Sequence, residues 1–106
     1  LLAMTKQMWK LLMTWDIRPG KESEYFEFVV QEFVPKIQRL GIQPSEAWYT
    51  VWGNAPQILS GSIADERATI EQAIASEEWK AMIERLLTYV TNFNFKIVPA
   101  VGHFQL

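Results

Sequence analysis

The sequence predicts an α+β fold in the order strand, helix, strand, strand, helix, strand. This is the split βαβ plan, a four-stranded antiparallel sheet with helices on one face. Three observations predict it. Two long stretches, one on either side of a central strand pair, carry apolar residues at helical spacing. Four shorter stretches alternate in polarity or are rich in aromatic and β-branched residues. Glycine, proline and capping residues fall at most of the junctions. The 106 residues amount to a single domain, read as residues 1–106, with 1–7 as a flexible leader and 99–106 as a tail.

The first strand is Met8 to Ile17, "MWKLLMTWDI". Trp9, Leu11, Met13, Trp15 and Ile17 form a strongly apolar side, and Lys10, Leu12, Thr14 and Asp16 a mixed one. Pro19 and Gly20 close it. Lys21 to Leu40 reads as a helix, with Glu22 and Glu24 suited to its N-terminal dipole and Gly41 to its C-terminal stop. Its apolar stripe is Phe26, Val29, Val30, Phe33, Ile37 and Leu40, which leaves Tyr25 and Phe28 off the main face. Pro35 interrupts the pattern and is expected to bend one continuous helix near Gln31 to Val34.

Pro44 restarts an extended segment. "EAWYTVW" and "QILSGSIA" read as a hairpin across "GNAP", with Gly61 marking a bulge or a close backbone approach. Asp65 is placed as the cap of a short helix bearing Ile70, Ala73 and Ile74. Ser76 caps a second, whose stripe is Trp79, Met82, Ile83, Leu86, Leu87 and Val90. Thr91 to Val98 is the last strand, with Phe93, Phe95 and Ile97 on one side, and Pro99 ends it.

Composition narrows the function classes. The net charge is -2 with no basic cluster, so no nucleic-acid footprint is visible. There is no cysteine, which excludes thiol chemistry and fits a reducing, cytoplasmic setting. No run is long enough to span a bilayer, and no membrane association is expected. Phosphate loops, nucleophile elbows and metal motifs are missing, and neither a metal nor another cofactor is expected.

Hydrophobic residues make up 49% of the chain, and five are tryptophan. A small domain has few places to bury so many. Trp48 and Trp52 oppose Tyr49 and Val51 in one strand, and Leu12 breaks the polar side of another. Two-faced burial of the sheet predicts a homodimer with the open faces packed together.

With these elements in place the chain resembles the dimeric α/β-barrel superfamily of ferredoxin-like subunits. It is similar to small NIPSNAP-like proteins and, more distantly, to the antibiotic-biosynthesis monooxygenase group. "IRPGKESEYFEF" resembles the strand-to-helix opening. Pro35 followed by Gly41 is similar to the end of the first helix, and "ASEEWKAMIERLLTYVTNFNFKIV" to the second helix and last strand. The resemblance spans Met8 to Val98. It implies a homodimeric α/β barrel with a cavity between sheet and helices or near the seam, without carrying over one reaction.

Candidate site residues follow from chemistry. Trp15, Tyr25, Trp48 and Trp52 offer aromatic walls with polar tips, and Asn54 a donor and acceptor, for a small apolar or aromatic ligand. Arg18 either meets an anionic group or makes a surface contact. Asp16 and His103 are the catalytic candidates, His103 as the only histidine. The functional expectation is a ligand-binding homodimer, as a cofactor-independent monooxygenase or isomerase if catalytic. The alternative is a structural or regulatory dimer whose aromatics fill the interface and leave no cavity.

Overall fold

The computed structural model describes residues 7–50 and 57–100. Its elements are β1 (Trp9–Ile17), α1 (Glu22–Phe28), a π-turn (Val29–Phe33), α2 (Val34–Arg39), β2 (Gln43–Tyr49), β3 (Ile58–Ala64), α3 (Arg67–Ile74), α4 (Glu77–Leu86) and β4 (Val90–Pro99). The sheet is antiparallel, in the order β2-β3-β1-β4. The helices pack on the face that carries Leu11, Met13, Trp15 and Ile17, all buried.

The sheet is open. β2 and β4 are its two edges, and neither pairs with the other to close a cylinder. The expected homodimeric α/β barrel is therefore corrected to a two-layer arrangement, one sheet and one helical layer. Closure would require the edge strands to satisfy their ladders against each other; here the ladder ends at β2 and β4.

Alternation puts each apolar side of β1 where it was expected, but β2 sits differently. It starts at Gln43, and Pro44 lies within it. An edge strand tolerates a residue that cannot donate on its outer side. Both Trp48 and Tyr49 are more than half exposed, at 54% and 55%, because an edge strand has a neighbour on one side only. Val51 and Trp52 lie outside the described residues. Pro99 likewise belongs to edge strand β4 rather than following it. Ala100 N–H donates to Met8 O at 2.9 Å, so the chain at residues 8 and 100 is tied together.

The first helix is continuous from Glu22 to Arg39, but its centre is a π-turn in which the Val34 N–H reaches Val29 O. The expected bend is realised as this widening. Proline at 35 cannot donate, and in a regular helix its ring collides with the carbonyl four residues back, that of Gln31. A π-turn amounts to one extra residue in the helix, so everything N-terminal to it is displaced by one position. Tyr25 and Phe28 are buried at 3% each, whereas Phe26 and Val30, placed on the apolar stripe from the sequence, are 52% and 70% exposed. That part of the expected stripe is corrected.

The helix ends as a Schellman motif. Gly41 takes φ 91°, its N–H donates to Gln38 O, and Ile42 N–H donates to Ile37 O. A Cβ on Gly41 would stand 3.0 Å from Thr69 Cγ2, which brings α3 close to the helix end. Ser76 caps α4, accepting from Trp79 N–H at 3.1 Å. The cap position of α3 is Glu66 rather than Asp65.

Two strands each hold one more residue than their neighbour. In β2, Ser45 is extra between the Pro44↔Ser62 and Glu46↔Gly61 pairs. In β4, Asn92 and Phe93 oppose the single residue Trp15, and Asn92 takes φ 57°. Asparagine tolerates this left-handed conformation better than other non-glycine residues.

Candidate ligand cavity

A cavity of about 340 Å³ lies between the first helix and the β2/β3 half of the sheet. That volume is near the lower end of the range for small-molecule sites, roughly 300–1,000 Å³. Its helical wall is Tyr25, Val29, Phe33, Val34 and Ile37, from α1, the π-turn and α2. Its floor is Trp15 with Ile58, Ser60 and Ser62, successive inward-facing positions of β3 opposite Trp15, Met13 and Leu11.

Trp15 organises the floor. Its ring meets Tyr25 and Phe33 edge-on, with centroids 6.3 and 5.7 Å away, and Phe93 stacks on it at 6.0 Å. Edge-on and offset contacts suit the ring quadrupole. The extra residue in β4 brings Phe93 into line with Trp15, because the bulge shifts the register there. Trp15 Nε1–H donates to the Tyr25 hydroxyl at 2.9 Å. Burial pushes the Tyr25 phenol up to about 12, so it stays protonated at neutral pH, and its own proton has no acceptor among the described residues.

Ser60 and Ser62 make no side-chain hydrogen bond among the described residues. Ser62 is 2% exposed. Yet no buried side-chain nitrogen or oxygen among those residues lacks a partner. The Ser62 oxygen is therefore reached from the cavity, which Ser62 lines. Tyr25, Ser45, Ser60 and Ser62 bring hydroxyls to a lining that is apolar apart from them and Glu46, and the Ser45 hydroxyl is already donated to Glu46 Oε1 and Gly61 O.

Glu46 borders the cavity but its carboxylate is engaged elsewhere. It accepts from Lys10 Nζ at 2.8 Å across the opposite face of the sheet. This contact and the Ser45 hydroxyl, 2.7 Å away, hold its carboxyl below the usual range. Gly61 makes room, since a Cβ there would come within 3.1 Å of Glu46 Cδ.

Of the residues expected at the site, Trp15 and Tyr25 come together in this cavity. Trp48 does not line it. It projects from the outer face beside Leu59 and borders an adjoining cleft of about 320 Å³ with Phe26 and Tyr49. Asp16 ties strands: one carboxylate oxygen accepts from Gln57 N–H at 2.8 Å and the other from Asn92 Nδ2 at 2.7 Å. Arg18 donates through Nε and Nη2 to Leu87 O at the end of α4, where a cation suits the helix dipole. Trp52, Asn54 and His103 lie outside the described residues. Among the described residues no acidic, histidine or cysteine cluster could hold a metal ion, and no helix is long and apolar enough to cross a membrane.

Ser60 and Ser62 were not singled out from the sequence. Their signal is present in "ILSGSIA", where small hydroxyl residues occupy the parity of Ile58 and Ala64 that faces the helices.

Fold and cavity together define a split βαβ domain with a hydroxyl-dotted apolar pocket under its first helix. Solved structures share this architecture. A NIPSNAP family protein from Agrobacterium tumefaciens str. C58 superposes with a TM-score of 0.72 at 18% identity, covering 97% of this chain and 94% of that one. An uncharacterized NIPSNAP-like domain protein from Burkholderia xenovorans matches at 0.69 and 15% identity, covering 94% and 90%. A proposed antibiotic biosynthesis monooxygenase from Caulobacter crescentus CB15 matches at 0.68 and 13%, covering 92% of each chain. The fold is thus that of NIPSNAP-like and antibiotic-biosynthesis-monooxygenase-like proteins, at identities that speak to fold alone. No protein-family model matches the sequence, and a comparison with curated proteins finds no match.

Proposed function

We propose that this protein binds a small, uncharged, apolar or aromatic molecule carrying at least one oxygen, in the cavity between its first helix and sheet. The supporting observation is the cavity's chemistry: about 340 Å³, aromatic and aliphatic walls, and the hydroxyls of Tyr25, Ser60 and Ser62 among its lining. Trp15 and Tyr25 are the aromatic contacts of this reading. The Tyr25 proton, with Ser60 and Ser62, would recognise the oxygen. A filled, purely structural interface fits this volume poorly, because packed interiors leave few voids larger than a water molecule. Titration calorimetry with 2-naphthol tests the proposal, and saturable binding abolished by filling the floor with Ser62→Val is the expected result.

A homodimer in the cytoplasm belongs to the same reading. The exposed aromatics at both sheet edges, Trp48 on β2 and Phe95 on β4, support self-association. Sedimentation equilibrium at micromolar concentration would detect it.

Likeness to the Caulobacter crescentus protein favours a second reading, cofactor-independent oxygenation or isomerisation of the bound molecule. Tyr25 would then orient the substrate as a donor rather than remove a proton, given its raised pKa. Oxygen uptake with a hydroquinone substrate, above the rate without protein, is the measurement that separates catalysis from binding.

A further inference from the structure

We propose that the π-turn, kept in place by Pro35, determines which molecules the cavity accepts, with Pro35 as its positioning residue; this rests on the ligand reading above. Tyr25, Val29, Phe33 and Ile37 stand four residues apart and all line one wall. In a straight α-helix each four-residue step drifts by about 40°, so Tyr25 and Ile37 would point about 120° apart. A π-turn winds more residues into each turn and removes much of that drift. The wall therefore exists because of the turn.

The location of the turn follows from Pro35. The Val34 N–H bonds Val29 O, five residues back. This widens the helix where the proline ring would meet the Gln31 carbonyl. Released from that collision, a regular helix anchored at Phe33 and Ile37 turns Phe26 and Val30 toward the sheet. These are the two apolar residues now left in solvent, at 52% and 70% exposure. The helix thus carries two apolar registers. The observed one presents a phenol hydroxyl to the cavity and to Trp15 Nε1. The other presents a phenyl ring without one.

The test uses the full chain, with and without Pro35→Ala. The sequence holds no cysteine, so Phe26→Cys supplies a single thiol. In the parent it labels rapidly, and with Pro35→Ala labelling slows by about tenfold as the position turns inward. Affinity for 2-naphthol falls about tenfold in Pro35→Ala while affinity for the smaller phenol changes less. A second variant combines Pro35→Ala with deletion of Val30, which places Tyr25, Phe33 and Ile37 on one face of a regular helix without the extra residue; it is expected to keep Tyr25 inward and to restore the preference for 2-naphthol. Unchanged labelling and size preference in Pro35→Ala, or a lost preference that the deletion does not restore, overturns the proposal while leaving the ligand reading intact. If the parent binds neither probe, the ligand reading fails and the specificity role with it.

Discussion

Trp15 and Tyr25 are joined by a 2.9 Å hydrogen bond from indole to phenol beneath the first helix. The bond satisfies a buried donor, and the phenol proton has no acceptor among the described residues. Tyr25→Phe removes the acceptor and strands the indole N–H. The expected loss is about 1–3 kcal/mol, the cost of leaving a buried polar group unpaired. Urea denaturation followed by tryptophan fluorescence measures it.

The same phenol sets an alkaline limit on stability. Its folded-state pKa is raised from 10.0 to about 12, so the folded state holds this proton more tightly than the unfolded chain. The contribution is complete below pH 10 and is lost as pH rises through about 12. Stability profiles of the parent and Tyr25→Phe should converge across this window. Parallel profiles would show that Tyr25 titrates normally.

Ser62→Val places two methyl groups in the floor of the cavity. Binding of 2-naphthol is expected to be lost without loss of stability, because Ser62 gives up no side-chain hydrogen bond among the described residues. Calorimetry and thermal melts on one preparation separate the two effects. Reduced binding with an equally reduced Tm would instead mark Ser62 as structural.

Gly61→Ala crowds Glu46, whose Cδ would lie 3.1 Å from the new Cβ. The side chain is flexible and the Lys10 pair is partly exposed, so the stability change should stay within about 1 kcal/mol. The Glu46 carboxyl should nevertheless titrate at higher pH as its contact with Lys10 loosens. Its depressed pKa contributes stability above the unfolded carboxylate value, lost as pH falls through the folded one. Carboxyl-detected NMR titration reports the shift.

Ser76→Ala removes the cap that accepts from Trp79 N–H. A loss of about 1 kcal/mol is expected. Ser76→Asp should restore most of it, as read by the denaturation midpoint.

Strand parity, the Ser76 cap and the Gly41 stop are local signals, and each was readable from residue type and spacing. The first helix was readable in extent but not in phase. Periodicity assumes a constant number of residues per turn, and one extra residue exchanges Phe26 for Tyr25 without altering the overall apolar content. Pro35 was the available clue, but it indicated a disturbance without its form. Asp16 was read as a catalytic candidate because the partners that tie it up, Gln57 and Asn92, are remote in sequence. Trp15 and Tyr25 were readable as polar-tipped aromatics. Their hydrogen bond and the serine floor depend on the pairing of β1 with β3 and on the packing of the helix above them. The edges of β2 and β4 could not be read from alternation, which marks faces and says nothing about what lies beside a strand.

The surplus residues in the π-turn, β2 and β4 have a common consequence. Each adds one unit of length to one element and none to its neighbour, and all three border the cavity or the Trp15 floor. Cavity shape here depends on residue count as much as on residue identity. Such a pocket can be remodelled by gain or loss of single codons, in discrete steps, while the apolar residues of the core keep their types.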